Sequence, residues 1–318
     1  MDKRKIAIIG GSGFIGSRLA KRLSARRDLA LKIIDVKQSQ CFSQYYQYAD
    51  VTQPESLRQA LVGCDAVINL AAKRQDKVKS TSLYNQINVE GARNLCMVAA
   101  ELAIKQIVFT SSVAVYGDVE QETNEEGHLA PGSHYGKSKL EAEYVYEAWR
   151  NAGDGNKLTI IRPVVVFGEG DRSNVYKLFR RIAKGRLVMI GDGRNRRSLA
   201  YVENIAARLE FALDQQADYQ VSNYADKPDL SMNQLIGVVT RVLGREDKLI
   251  HIPYLPGIGG IALLDLLGKV SRYKFSISRA KVKTFCASAQ FKSNVEPDFV
   301  APVDLNQAIE KTVKHEFN

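Results

Sequence analysis

Cysteine is scarce in this 318-residue chain: Cys41, Cys64, Cys96 and Cys286 lie far apart, with no Cys-x-x-Cys and no nearby histidine pair. That spacing excludes a disulfide framework and a thiolate zinc site, and it fits buried, reduced thiols; no metal is expected. Long apolar runs are missing too. No segment reaches the ~18 uncharged apolar residues that a bilayer crossing needs. The nearest, Ile252 to Leu264, is broken by Pro253, Pro256 and three glycines. Near the N-terminus, Lys3-Arg4-Lys5 precedes only four apolar residues, Ile6 to Ile9, short of the ~7 of a secretory signal. A cytoplasmic protein without stable membrane insertion is expected.

Acidic residues are also in short supply. Lys and Arg number 45 against 35 Asp and Glu, a net charge of +10. The excess points to an anionic partner: nucleic acid, an acidic membrane surface or a phosphorylated small molecule. The bases are scattered, with clusters at 73–79 and 180–197, and no basic stripe interleaved with aromatics occurs. A single-stranded nucleic-acid binder is therefore not expected. At 45% hydrophobic and 25% charged, the composition is that of a globular protein with a sizeable core. Neither a repeat nor a long linker interrupts it.

What is present is an alternation. Short apolar runs at Lys5–Ile9, Leu31–Ile34, Ala66–Leu70, Gln106–Thr110 and Leu158–Ile161 have the length and character of buried parallel strands. Helix-period stretches separate them, at Phe14–Arg27, Pro54–Leu61, Thr81–Leu102 and Ser133–Asn151. This rhythm predicts an α/β, doubly wound parallel sheet that binds ligands beyond the carboxyl ends of its strands. After Arg162-Pro163 it loosens. A helix over Tyr201–Leu213 and a strand at Tyr219–Val221 return to the sheet, and Ser231–Leu243, Ile258–Lys269 and Asp304–Lys314 are further helix candidates. The expected division is a dinucleotide-binding domain over 1–165, rejoined by 195–225, and a smaller, sequence-interleaved lobe from 166–194 and 226–318.

Gly10-Gly11-Ser12-Gly13-Phe14-Ile15-Gly16 follows the first strand and opens a helix. Gly10, Gly13 and Gly16 allow a tight turn, close approach of backbone to a pyrophosphate, and close helix–strand packing; Phe14 and Ile15 present the helix N-terminus. Asp35 stands 19 residues after Gly16, where a carboxylate grips ribose hydroxyls and repels a 2′-phosphate. NAD is favoured over NADP, although Lys37 and Arg18 work against strict discrimination. Asp50 and Val51 either contact the adenine or belong to the cap region ahead of Pro54; the sequence weighs the two equally.

Tyr135 and Lys139 stand one helical turn apart. A phenol titrates near 10, and a neighbouring ammonium lowers that value toward a usable base; the bland alternative is a solvated surface pair. Ser112, at the end of the fourth strand, can hydrogen-bond a reacting oxygen, or it simply caps a turn. These signals arrive in order along the chain. Together with Asn69-Leu70-Ala71-Ala72, Ser112-Val113-Ala114-Val115-Tyr116-Gly117, and Arg162-Pro163 with Phe167-Gly168, they resemble the extended short-chain dehydrogenases/reductases. The nucleotide-sugar epimerase/dehydratase group is most similar, from the N-terminus to about residue 215.

The resemblance implies a Rossmann fold that binds NAD. Tyr135 would be the base, Lys139 its electrostatic partner, and Ser112 the donor to the substrate oxygen. Gly10, Gly13, Phe14, Ile15, Gly16, Asp35, Asp50, Val51, Leu70, Ala71 and Ala72 would contact the cofactor with Tyr135 and Lys139. Asn88 would have a structural role, and Asn69 replaces a histidine often seen there. A homodimer through the helices at Thr81–Leu102 and Ser133–Asn151 is also implied.

Dehydratases of the group carry an Asp-Glu pair after the serine; here Val113 and Ala114 cannot transfer protons. The expected reaction is 4-epimerisation of a UDP-hexose or UDP-N-acetylhexosamine through a 4-keto sugar. The alternatives are an NAD(P)H-dependent reductase acting at C4 and, from another class, a non-catalytic nucleotide-binding regulator. For the substrate, Asn174 could meet a diphosphate or sugar, Arg197 (with Arg196 beside it) suits a phosphate clamp, and Arg272 or Arg279 would supply a second clamp. The first of these basic groups could equally belong to a solvated loop.

Overall fold

A computed structural model describes residues 3–74, 82–245, 250–254 and 279–317. Seven parallel strands form the main sheet: β1 (Arg4–Ile9), β2 (Leu29–Asp35), β3 (Tyr46–Tyr48), β4 (Ala66–Asn69), β5 (Gln106–Thr110), β6 (Lys157–Pro163) and β10 (Tyr219–Tyr224). Their order across it is β10-β6-β5-β4-β1-β2-β3. The winding reverses between β1 and β4, which opens a crevice at their carboxyl ends, the usual ligand position in such sheets.

Both faces of the central strands are covered, which is why they read as continuous apolar runs. Ile6, Ile8, Ile33, Ile68 and Val108 enter one core; Ala7, Ile9, Ile34, Val67 and Ile107 enter the other. Helices α1 (Phe14–Ser24) and α7 (Val202–Asp214) pack together over the first. Over the second lie α2 (Pro54–Leu61), α4 (Gly91–Glu101) and α5 (His134–Ala152). The expected helix at 81–102 is a short turn, α3 (Ser82–Tyr84), then a π-helical segment Asn85–Glu90, then α4. Ser133 caps α5 through its hydroxyl, which accepts the Gly136 N–H at 3.0 Å.

Periodicity does not place the five strands of the two smaller sheets. β7 (Val165–Phe167), β9 (Arg196–Tyr201) and β11 (Asp226–Ser231) form a second sheet; β8 (Val188–Ile190) pairs with β12 (Ile250–Ile252). Of the stretch 195–225, α7 and β10 join the main unit, whereas Arg196–Tyr201 belongs to this second sheet. Helices α6 (Asn174–Ala183), α8 (Met232–Val242), α9 (Arg279–Cys286) and α10 (Leu305–Phe317) complete the chain. The helix expected at Ile258–Lys269 lies outside the described residues. So does Arg272. The four thiols are unpaired, but only Cys64 and Cys96 are buried; Cys286 is half-buried and Cys41 exposed, because Cys41 sits in the polar turn after β2 rather than in an apolar element. No helix among the described residues is long and apolar enough to cross a membrane.

Candidate active site

The loops leaving β1, β4 and β5 bring the sequence-predicted residues to one edge of the sheet. Gly10 has φ +76°, and a Cβ there would lie 2.7 Å from the Ala71 amide nitrogen. A Cβ on Gly16 would lie 2.5 Å from the Gly10 carbonyl. Side chains are excluded at both positions, so the loop keeps bare backbone facing outward at the start of α1, the cradle that a pyrophosphate needs. Gly13 is its exposed N-cap, and Phe14 and Ile15 form the first turn, half-buried. Asp35, at the end of β2, accepts the Ser12 N–H at 3.1 Å and the Lys37 N–H at 3.0 Å. The Ser12 hydroxyl is buried and has no partner among the described residues. A cradle closed to side chains, an orphaned hydroxyl and a carboxylate at the adjoining strand end fit a dinucleotide.

Asp50 is used locally: its Oδ1 accepts both the Thr52 N–H at 2.9 Å and the Thr52 hydroxyl at 2.8 Å. Of the two sequence alternatives, this is the cap-region geometry. Val51 is buried and packs under α4, where a Cβ on Gly91 would approach it to 2.9 Å. Leu70 donates its N–H to Ile9 O at 2.8 Å, Ala71 donates to Asn69 Oδ1 at 3.0 Å, and Ala72 is exposed beyond them. Asn88 accepts the Lys73 N–H at 2.8 Å and donates to Ser138 Oγ at 2.8 Å; Ser138 in turn donates to Tyr135 O at 2.8 Å. It therefore ties the β4 exit loop to the turn that carries Tyr135, a structural role.

Ser112, Tyr135 and Lys139 are brought together by α5 and the 3₁₀ turn Val113–Val115. Sequence reasoning did not single out Gly136, which permits the approach: a Cβ there would lie 2.4 Å from Ala114 O. Ser112 caps the turn, accepting the Ala114 N–H at 3.2 Å, and its side chain stands beside Tyr135. The turn-capping role weighed for it is present. Burial pushes the Tyr135 phenol above its ordinary value, while Ser112 and the charge of Arg74 pull it down. Arg74, which the sequence did not single out, is thus a cation acting on the phenol. The side chains by themselves leave Tyr135 protonated at neutral pH.

Lys139 is 2% exposed, with Nζ 4.2 Å from the centroid of the Phe109 ring. Burial pushes its ammonium down to about 7, against the opposing pull of Glu143. An unfolded lysine titrates near 10.4, so the folded chain holds fewer protons than the unfolded one between those values. The penalty of burying this charge is complete below pH ~7 and fades as pH rises toward 10.4. Relative to Lys139→Met, the chain should therefore gain stability between pH ~7 and ~9. Denaturant titrations of both at several pH values check this; a constant gap across that window would show an unshifted lysine.

The remaining predicted residues lie elsewhere. Asn174 begins α6, is exposed, and accepts from Lys177 Nζ at 3.3 Å. Arg197, on β9, is half-buried, with Nη2 3.5 Å from Ala287 O, and burial pushes its guanidinium down while the Cys286 thiol opposes. Ala287 and Cys286 line a cleft of about 750 Å³ whose wall also includes Ile190, Asp192, His251 and Lys283. Arg197 thus stands behind a ligand-sized cleft, and Asn174 is not among its lining residues.

The model of the NAD dependent epimerase/dehydratase family matches residues 6–224. Among curated proteins, the chain is 42% identical over 316 residues to N-acetyl-alpha-D-glucosaminyl-diphospho-ditrans,octacis-undecaprenol 4-epimerase of Escherichia coli O157:H7, covering 98% of this chain and 95% of that one. It is 27% identical over 261 residues to UDP-glucose 4-epimerase of Vibrio cholerae, covering 79% of each. Among solved structures, UDP-N-acetylglucosamine 4-epimerase from Bacillus cereus superposes with a TM-score of 0.76 at 21% identity, covering 98% of this chain and 96% of that one. Matched by that model over more than half its length, the chain belongs to the NAD-dependent epimerase/dehydratase family.

Proposed function

We propose that the chain inverts C4 of a hexose or N-acetylhexosamine carried on a diphosphate, through a transient 4-keto sugar. One observation carries the reading: Ser112, Tyr135 and Lys139 meet beside the glycine cradle, while Val113 and Ala114 occupy the places where an elimination would need proton-transferring groups. NAD supplies the hydride acceptor and donor. The protein's part is to position and to move one proton. Tyr135 takes the proton of the C4 hydroxyl and, once the 4-keto sugar has presented its other face, returns one to the same oxygen; Ser112 donates to that oxygen and holds it against the phenol; Lys139 and Arg74 favour the phenolate. Hydride is returned in each turnover, so no reductant is consumed.

Two carriers present the same diphosphate and the same free C4 hydroxyl. The E. coli relative, at 42% identity over nearly the whole chain, acts on a sugar linked to undecaprenyl diphosphate, and it favours a polyprenyl carrier here. UDP is the second reading, favoured by the Vibrio cholerae relative. The test offers N-acetylglucosaminyl-diphospho-undecaprenol, UDP-N-acetylglucosamine and UDP-glucose in turn, and follows the C4 epimer and NADH. We expect interconversion without net NADH, fastest on the polyprenyl substrate. Absence of interconversion on all three, with NADPH oxidised by a 4-keto sugar, would establish a reductase instead.

A further inference from the structure

We infer that the cationic face of α6 seats the protein on an anionic phospholipid surface, with the cleft behind β8 turned toward it. The inference rests on the polyprenyl reading above for its purpose, and on charge for its evidence. From Arg172 to Gly191 the sequence has six basic residues and no Asp or Glu. Along α6, Val175, Phe179 and Ile182 are buried against the protein, which leaves Lys177, Arg180, Arg181 and Lys184 exposed on the outer side. These four are spaced three and four residues apart, so they form one stripe. Arg186 and Arg245 extend it at the helix end, where Arg245 donates to Ala183 O.

None of the four pairs with a carboxylate among the described residues. The acids nearby are committed to other partners. Glu316, on the helix that packs against α6, binds Arg172 at 2.7 Å and the Gly170 N–H at 2.8 Å. Glu310 pairs with Lys314, Asp171 is buried and accepts from Ser173, and Asp192 faces Arg194. Helix α8, the other neighbour of α6, has no acidic residue. The helix dipole favours bases in the last turn, which explains Arg180 and Arg181. It does not explain Lys177 upstream or Arg186 beyond.

The stripe leads directly to the cleft. Four residues after Lys184 the chain enters β8, whose Ile190 forms part of the cleft wall, with Tyr254 on the same wall. Val188 is 44% exposed and Tyr254 39%. Bases flanked by exposed apolar side chains suit a lipid interface, where the charges meet acidic headgroups and the apolar groups reach the acyl boundary. A substrate anchored by a polyprenyl tail has its diphosphate at that same level.

The test is co-sedimentation of the full chain with phosphatidylcholine vesicles, with or without phosphatidylglycerol, at low and high salt. The chain should sediment only with the anionic vesicles and be released by high salt. Neutralising the stripe as Lys177→Gln, Arg180→Gln, Arg181→Gln and Lys184→Gln should lower the partition roughly a hundredfold or more, with turnover of detergent-solubilised substrate unchanged. Equal sedimentation with neutral vesicles, none with anionic ones, full retention by the neutralised variant, or displacement of the chain from anionic vesicles by RNA each overturns the proposal. The salt arm uses the unaltered chain and does not depend on how the variant folds. Anionic binding without turnover of the polyprenyl substrate would sink the carrier reading alone; turnover without anionic binding would sink the docking surface alone.

Discussion

Replacing Tyr135 with Phe lowers turnover about a thousandfold or more while NAD stays bound. The substitution removes one oxygen and leaves the ring that fills the half-buried pocket beside Ser112. General acid–base catalysis contributes about 10²–10⁴-fold, and in the proposed reaction the same hydroxyl both takes and returns the proton, so each half-reaction loses it. The cofactor cradle does not depend on it: Gly10 and Gly16 are shaped by contacts with Ala71 and with the loop's own backbone. The measurement is the rate of C4 interconversion beside the NAD content of the purified variant. Turnover within tenfold of the parent would identify a different base, and loss of NAD would show that the phenol mainly holds the cofactor.

Truncating Arg162 to Ala costs about 3–5 kcal/mol of stability. Arg162 on β6 is 4% exposed and Glu143 on α5 is 1% exposed. Their bidentate pair has N···O distances of 3.0 and 2.6 Å. Arg162 also donates to the Tyr116 hydroxyl at 2.8 Å, and Tyr116 donates to Asn223 Oδ1 on β10 at 2.9 Å. The network thus spans the helix that carries Tyr135, the turn below it and two strands. Alanine at 162 strands a carboxylate in an apolar interior, one turn from Lys139. Adding Glu143→Leu should recover part of the loss, because the desolvated charge is then gone. Denaturant midpoints of the single and double variants check this; a loss under about 1 kcal/mol for Arg162→Ala would mean that water reaches the pair.

The sequence was most legible where burial is two-sided. β5 matches the apolar run Gln106–Thr110 residue for residue, and α2 matches Pro54–Leu61, with its proline in the first turn. The glycine loop and the Tyr135–Lys139 spacing were legible because each requires particular residue types at fixed separations. β3, β7, β8 and β12 span three residues each, too few for an alternation to emerge. The Glu143–Arg162 pair was hidden for a different reason: charged residues are assigned to the surface unless a partner is known, and theirs is 19 residues away. Gly136 did carry a signal. A glycine in the first turn of a long helix is costly unless something must come close to it, as Ala114 does.

The edge strand β10 is laid against β6 from a point about sixty residues further along the chain, in parallel and over six paired residues. During synthesis, the first 165 residues can pair six strands, but β6 then presents its unpaired edge and Arg162 lacks the Tyr116–Asn223 tie across it. Helix α7, whose Glu210 binds Arg22 of α1 at 2.6 Å, is also still to come. An open edge of Leu158, Ile160 and Ile161 is a template for pairing with another chain. Closure of the sheet is therefore a late, long-range event in folding, and a fragment ending near residue 165 should aggregate where one ending after Tyr224 has its edge protected.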